Sequence, residues 1–177
     1  MIAQRRATPV LSALLDAVEA RGHALLGRFV EARSAAHSAE RHYDRARIGA
    51  EPEWLRFYTR AELSADLGRC LRDAGEHEQA TRLITQALET YEPWRVRSRC
   101  FVQADLAATH VASGDHDRAA ALGGEAVVTA AQVNSSRTLD RLRTLQRQFR
   151  RTDADSRVFD ALDFQISELL AQNISTI

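Results

Sequence analysis

One spacing constrains this chain more than any other. A glycine is followed five residues later by an alanine at Gly27/Ala32, Gly75/Ala80 and Gly114/Ala119, and each alanine by another seven on, at Ala39, Ala87 and Ala126. Two antiparallel helices approach closely only where the crossing carries Gly or Ala, and a glycine in the turn can take the left-handed conformation that ends a helix. One such spacing is weak in a chain with 30 alanines among 177 residues, but three in the same register are hard to obtain by accident. The spacing therefore predicts helix pairs, repeated.

The rest of the chain agrees. Period-two alternation is almost absent and helical periodicity is everywhere. Thr8 followed by Pro9 starts a first helix, with Val10, Leu11, Leu14, Leu15 and Val18 as its apolar side, continued by Leu25 and Leu26. A second carries Phe29, Val30, Ala32, Ala36, Ala39 and Tyr43, and Ile48 to Glu53 breaks the pattern. A third is expected from about Glu53 to Ala74, a fourth through Ala80, Ile84, Ala87 and Tyr91, and a fifth from about Trp94 to Ser113. Asp115 caps the sixth, Asn134-Ser-Ser136 opens the seventh, and an eighth carries Phe159, Leu162, Ile166 and Leu169. The expectation is one all-α domain over 1–177 with helix pairs at about 9–44, 53–92, 94–133 and 136–172, the last a cap.

The second pair also carries Leu67-Gly68-x2-Leu71 before Gly75, Ala80, Ile84 and Ala87, which is close to the tetratricopeptide pattern. The third keeps Leu106-Ala107-x2-His110, Gly114, Ala119 and Ala126. The glycines lie 48 and 39 residues apart, against about 34 in a regular repeat, so helices or connections are lengthened. The fold class expected is a tetratricopeptide-like right-handed array of about four antiparallel pairs.

Composition excludes several functions. All 24 basic residues are arginine and are balanced by 24 acidic ones, which argues against direct nucleic-acid binding. Arg and Ala in excess without Lys reads as GC-rich codon usage rather than a ligand signal. Two cysteines are no disulfide framework, so Cys70 and Cys100 are expected as buried inert thiols in a cytoplasmic protein. No window is a membrane span, since the most apolar one, Ala119 to Val133, is interrupted by Glu125 and Gly123-Gly124. That glycine pair is read as close packing of a helix.

No catalytic or metal motif appears. His37 and His42, five apart, lie about 140° apart on a helix. His77 and His116 read as helix starts and His110 as a packed core histidine. No cofactor is expected, and the chain is read as no enzyme. The rings of Trp54, Tyr58, Tyr91 and Trp94 are expected to fill the longer connections. What remains for function is a groove lined by the first helix of each pair. Register places Glu62, Arg69 and Arg72 there from the third helix, Arg97, Phe101 and Asp105 from the fifth, and Arg137 and Arg141 from the seventh. Such residues suit an acidic segment or a C-terminal carboxylate with Phe101 as apolar contact; an ordinary solvated face is the other reading.

The run Trp54-Leu-Arg-Phe-Tyr58, Ala61-Glu62-Leu63, Leu67-Gly68 and Leu71-Arg-Asp-Ala-Gly75 resembles the C-terminal region of actinobacterial helix-turn-helix regulators of the Xre type. Arg97-Ser-Arg99, Leu106-Ala107, Gly114-Asp115 and Ser136-Arg137 extend the resemblance over roughly Ala50 to Phe149. The resemblance implies a tetratricopeptide-like sensor or interaction domain that binds a protein or peptide in a regulatory, transcription-related role. With only eight residues before the first helix, a DNA-binding domain is not expected within this chain. The alternative is a self-associating helical domain, a homodimer scaffold, with Phe159, Phe164 and Ile166 as its exposed stripe.

Overall fold

In the computed structural model, residues 7–47, 51–133, 135–152 and 156–174 are described, so Ile48 to Ala50 of the expected break and Asn134 of the expected turn lie outside them. The described residues form eight α-helices and no strand: α1 Pro9–Leu25, α2 Phe29–Asp44, α3 Arg60–Asp73, α4 His77–Thr90, α5 Val96–Ser113, α6 His116–Ala130, α7 Ser136–Phe149 and α8 Ser156–Ile174. The chain divides into two compact units, residues 1–87 and 88–177. None of the described helices is long and apolar enough to cross a membrane.

The three marked glycines do the same work each time. Gly27, Gly75 and Gly114 all have positive φ, at 72°, 83° and 81°. Behind each, the next residue's N–H closes onto a carbonyl five back: Arg28 to His23 at 2.9 Å, Glu76 to Leu71 at 2.8 Å and Asp115 to His110 at 3.0 Å. This is the Schellman stop, which satisfies carbonyls that the ending helix leaves without partners. The six alanines that follow are all buried. Thr8 and Asp115 cap as expected, accepting from the N–H groups of Leu11 and Arg118 at 3.3 Å.

In residues 1–87, α1 packs on α2 and α3. The buried side of α1 matches the one that periodicity selects only at its start, where Val10 is buried and Leu11 and Leu14 pack half-buried against the core. Val10, Ala13, Ala17, Ala20 and Ala24 face inward, whereas Leu15, Val18, Leu25 and Leu26 are exposed. The reason is steric: a contact built on Ala32 and Ala39 of α2 has room for methyl groups and none for leucines. Phe29 and Val30 of α2 are exposed as well. The helix expected from Glu53 to Ala74 is also broken. Residues Glu53–Leu55 form a short 3-10 turn, and Thr59 starts α3 by accepting from the N–H of Glu62 at 3.5 Å. The break lets Leu55 and Tyr58 plug a core with Val10, Ala17, Ala39, Leu63 and Leu67. Tyr58 Oη then donates to Asp66 Oδ2 at 2.9 Å, while Trp54 stays exposed.

In residues 88–177, α5 packs on α6 and α7, and α6 on α8. Tyr91 is buried and Trp94 exposed, so of the four rings expected to fill connections only Tyr58 and Tyr91 do so. The core runs from Cys100 and Ala104 through Leu142 and Leu145 to a stacked pair, Phe149 and Phe159, with ring centroids 4.7 Å apart. Phe159 and Ile166 are thus buried, and Phe164 alone of the expected terminal stripe is exposed. Gly123 does serve close packing: a Cβ there would stand 2.6 Å from Leu162 Cδ2. Arg150 clasps Asp163 across α7 and α8 with two 2.7 Å hydrogen bonds, and Gln146 Nε2 donates to the same carboxylate at 3.1 Å.

Two outcomes follow for stability. A Cβ on Gly68 would lie 2.4 Å from Cγ1 of the fully buried Ile84, so Gly68→Ala should cost about 1–3 kcal/mol by overpacking. Gly124→Ala, whose Cβ meets only Gln165 Oε1 at 3.6 Å, should gain about 0.5–1 kcal/mol from helix propensity. Urea unfolding followed by circular dichroism reads both signs. The bond from Arg150 holds the Asp163 carboxyl below the usual carboxylate range, with Gln146 adding to it. A lowered folded value stabilises above the unfolded carboxylate value of roughly 4 and is lost as pH falls through the folded one. The difference in urea midpoint between the native chain and Asp163→Asn should therefore be widest near neutral pH and narrow progressively in acid.

Candidate functional site

Three of the residues assigned to a groove, Phe101, Arg137 and Arg141, share one surface of residues 88–177. On α5, Arg97, Phe101 and Asp105 follow at four-residue intervals, and on α7 so do Arg137 and Arg141, which places each set along one side of its helix. Because α5 packs on α7, Asp105, Phe101 and Arg141 meet. Arg141 Nη1 donates to Asp105 Oδ1 at 3.2 Å, and its guanidinium lies over the Phe101 ring at 5.4 Å from the centroid. Phe101, Arg137, Asp140, Arg141 and Thr144 line an open depression of about 250 Å³. Arg97 is exposed one turn before Phe101.

Asp105 has a different part from the one its register implied. At 2% exposure it does not face a groove; it is the buried end of an ion pair that fixes where Arg141 sits. An ionised carboxylate is costly to bury without a partner, so the pair holds Arg141 firmly. Asp140 at the rim is paired with Arg143 Nη1 at 2.7 Å, which softens the one negative charge in the lining. The result is a cationic depression floored by an aromatic face.

The three groove residues on α3 are engaged differently. Arg69 is ion-paired with Asp66 one turn back. Arg72 is buried, not solvent-facing, and donates through Nε and Nη2 to Asp73 Oδ1 at 3.0 and 2.9 Å. Arg21 adds a 3.6 Å contact to Oδ2 of the same aspartate. Adjacent residues rarely pair this way on a helix; the end of α3 at Asp73 allows it. Glu62 is half-buried in the first turn, its backbone N–H held by Thr59.

Residues 1–87 hold a second hollow that sequence reasoning passed over. Some 370 Å³ in volume, it lies between α2 and the pair α3–α4, with Ala32, Ala36, Leu67, Cys70 and Leu71 among its floor residues. Arg33 Nη2 reaches Glu76 Oε1 across its rim at 2.6 Å. The available signal was the alanines of α2: where small residues stand on a helix side facing a neighbour, volume is left over.

The histidines are dispersed. His110 is buried and contacts Asp115 at 3.2 Å, His116 packs edge-on against Phe159, and His42 Nδ1 lies 2.7 Å from Asp16 Oδ2. Among the described residues no three His, Cys, Asp or Glu side chains converge as a metal site. Both cysteines are free and buried; desolvation pushes the Cys70 thiol up to about 11 and that of Cys100 up to about 12. Cys100 Sγ donates to the carbonyl of Ala126 at 3.5 Å. Compared with models of known families, with curated protein sequences and with solved structures, the chain matches none.

Since a thiol reacts as its thiolate, neither cysteine should titrate with Ellman's reagent at mildly alkaline pH in the folded protein, and both should after urea. A thiol reacting fully without denaturant would contradict the burial.

Proposed function

We propose that this chain is a non-catalytic binding module of tetratricopeptide-like helix pairs, acting in a cytoplasmic, transcription-related regulatory setting, that docks an acidic protein or peptide segment. The repeated Schellman glycines and buried alanine pairs support the repeat architecture, and the resemblance over Ala50 to Phe149 points to the same regulatory class. The observation that carries the binding reading is Arg141, steadied by buried Asp105 over Phe101 and beside exposed Arg137.

The chemistry follows from those three groups. Arg137 offers a planar guanidinium whose paired N–H donors match a carboxylate, while Arg141, its charge balanced by buried Asp105, holds a fixed guanidinium over Phe101. Phe101 supplies apolar area for the residue next to that carboxylate. Little ordering is needed on the protein side, because both elements are helices and Arg141 is already held. Pre-organisation of this kind lowers the entropic cost of docking a flexible segment.

Fluorescence anisotropy with labelled short peptides tests it. Peptides ending in an acidic residue with a free carboxylate should bind at least about tenfold tighter than amidated, neutral counterparts, a difference of about 1.4 kcal/mol. The double variant Phe101→Ala/Arg137→Ala should lose that margin with its helical circular dichroism intact. Affinities that ignore peptide charge, or that survive the double variant, overturn the assignment.

A further inference from the structure

The hollow between α2 and the pair α3–α4 lies wholly within residues 1–87 and shares no residue with the Phe101 depression. At about 370 Å³ it falls at the compact end of the range in which proteins hold small molecules, roughly 300–1,000 Å³. One side of α2, carrying Arg33, Ala36 and Glu40 at steps of three and four, makes a wall. Leu67 and Cys70 of α3 and Leu83 of α4 line the floor. Desolvation pushes the Cys70 thiol up to about 11, so that floor carries no charge.

The polar groups around the floor are engaged unevenly. Both arginines of the lining are paired: Arg33 Nη2 donates to Glu76 Oε1 at 2.6 Å and Arg82 Nη1 to Glu78 Oε1 at 2.7 Å. Glu40 differs. It is half-buried, and among the described residues its side chain makes no hydrogen bond and no ion pair. His37, one turn before it, also lines the hollow, with Nδ1 2.9 Å from the carbonyl of Arg33. A carbonyl only accepts, so the neutral ring carries its proton on Nδ1 and leaves Nε2 as an acceptor. The charged donors of the lining are therefore occupied while its acceptors are open.

We propose that this hollow binds a small organic cation, with its ammonium group on Glu40 and His37 and its apolar body on the floor of Leu67 and Leu83. An ammonium has three N–H donors and no acceptor, which matches a carboxylate beside an imidazole Nε2. An anion would be repelled by Glu40 and would have to break the Arg33 or Arg82 pair to gain a partner. A body without a donor would cover the half-buried carboxylate and leave it desolvated with nothing to bond. The Arg33–Glu76 bond ties α2 to the turn before α4, across the rim. A free small molecule fits behind it, whereas the amides of a peptide carrying a lysine would lie against apolar side chains.

Three probes with one body separate these cases: phenylbutylamine, phenylbutanol and phenylbutyrate, each titrated into the full chain by calorimetry at neutral pH. The amine should bind at least about tenfold tighter than the alcohol or the carboxylate. Acetyl-lysine methylamide, the same ammonium on a peptide unit, should bind no tighter than the alcohol. Glu40→Gln should bring the amine down to the alcohol's affinity and leave the alcohol within about twofold of its native value. Ala36→Leu, which fills the hollow, should lose all three probes with helical circular dichroism kept. Should Ala36→Leu unfold, Glu40→Gln alters no packed group and still decides. Neither variant should change the binding of acidic peptides at Phe101 and Arg137, so the two sites fail or stand separately. A carboxylate probe that binds as tightly as the amine overturns the proposal. So does an amine affinity that survives Glu40→Gln, a lysine derivative that equals the amine, or the absence of binding by any probe at millimolar concentration.

Discussion

The contact between alanines at a helix crossing is the interaction on which the rest of this structure depends. Ala32 and Ala39, Ala80 and Ala87, Ala119 and Ala126 are each buried at a fixed distance in sequence from a left-handed glycine. The glycine reverses the chain within three residues, and the alanines let the second helix lie directly against the first. Each half enforces the other: a tight reversal would force bulky side chains to collide, and small side chains without the reversal would leave an unfilled gap. Close backbone approaches at these crossings, each with small dispersion gains, thus add to the burial of large side chains such as Leu63, Ile84, Leu142 and Ile166.

That economy explains what the amino-acid order revealed and what it hid. The turns and pair crossings were legible because they are backbone requirements: a positive φ needs glycine, a close crossing needs alanine, and both recur in register. The orientation of α1 was legible only at its start, where Val10, Leu11 and Leu14 do pack on the core. Its alanine and leucine sides are both apolar, and periodicity cannot say which is buried; the hydrophobic scale favours the leucines, while the neighbour's shape favours the alanines. The same limit hid the break before α3, where Pro52 and Thr59 mark two starts that hydrophobic spacing reads as one.

The candidate site was legible to the same depth. Helical register brought Phe101, Asp105, Arg137 and Arg141 to facing sides of α5 and α7; Arg141 meets Phe101 and Asp105, and Arg137 lines the same depression. Register carries no information on depth, so a buried aspartate and a solvated one look alike in sequence. Asp105 became a support for Arg141, and Arg72 turned inward toward Asp73, for reasons that lie in neighbouring helices rather than in their own. The hollow between α2 and α3–α4 belongs to the same class: it is made by what Ala32 and Ala36 lack.

The alanine crossings also set how this chain can change over time. In an ordinary core the large residues are the guarded ones and alanines drift. Here a single added methylene at Ala39, Ala87 or Ala126 has nowhere to go, since each is wholly buried in a helix contact. The outward leucines of α1 carry no such internal restriction. Descendants of this sequence that keep the fold should hold their smallest residues fixed, and whether they also hold Leu15, Val18 and Leu26 records whether something outside the chain is pressed against them.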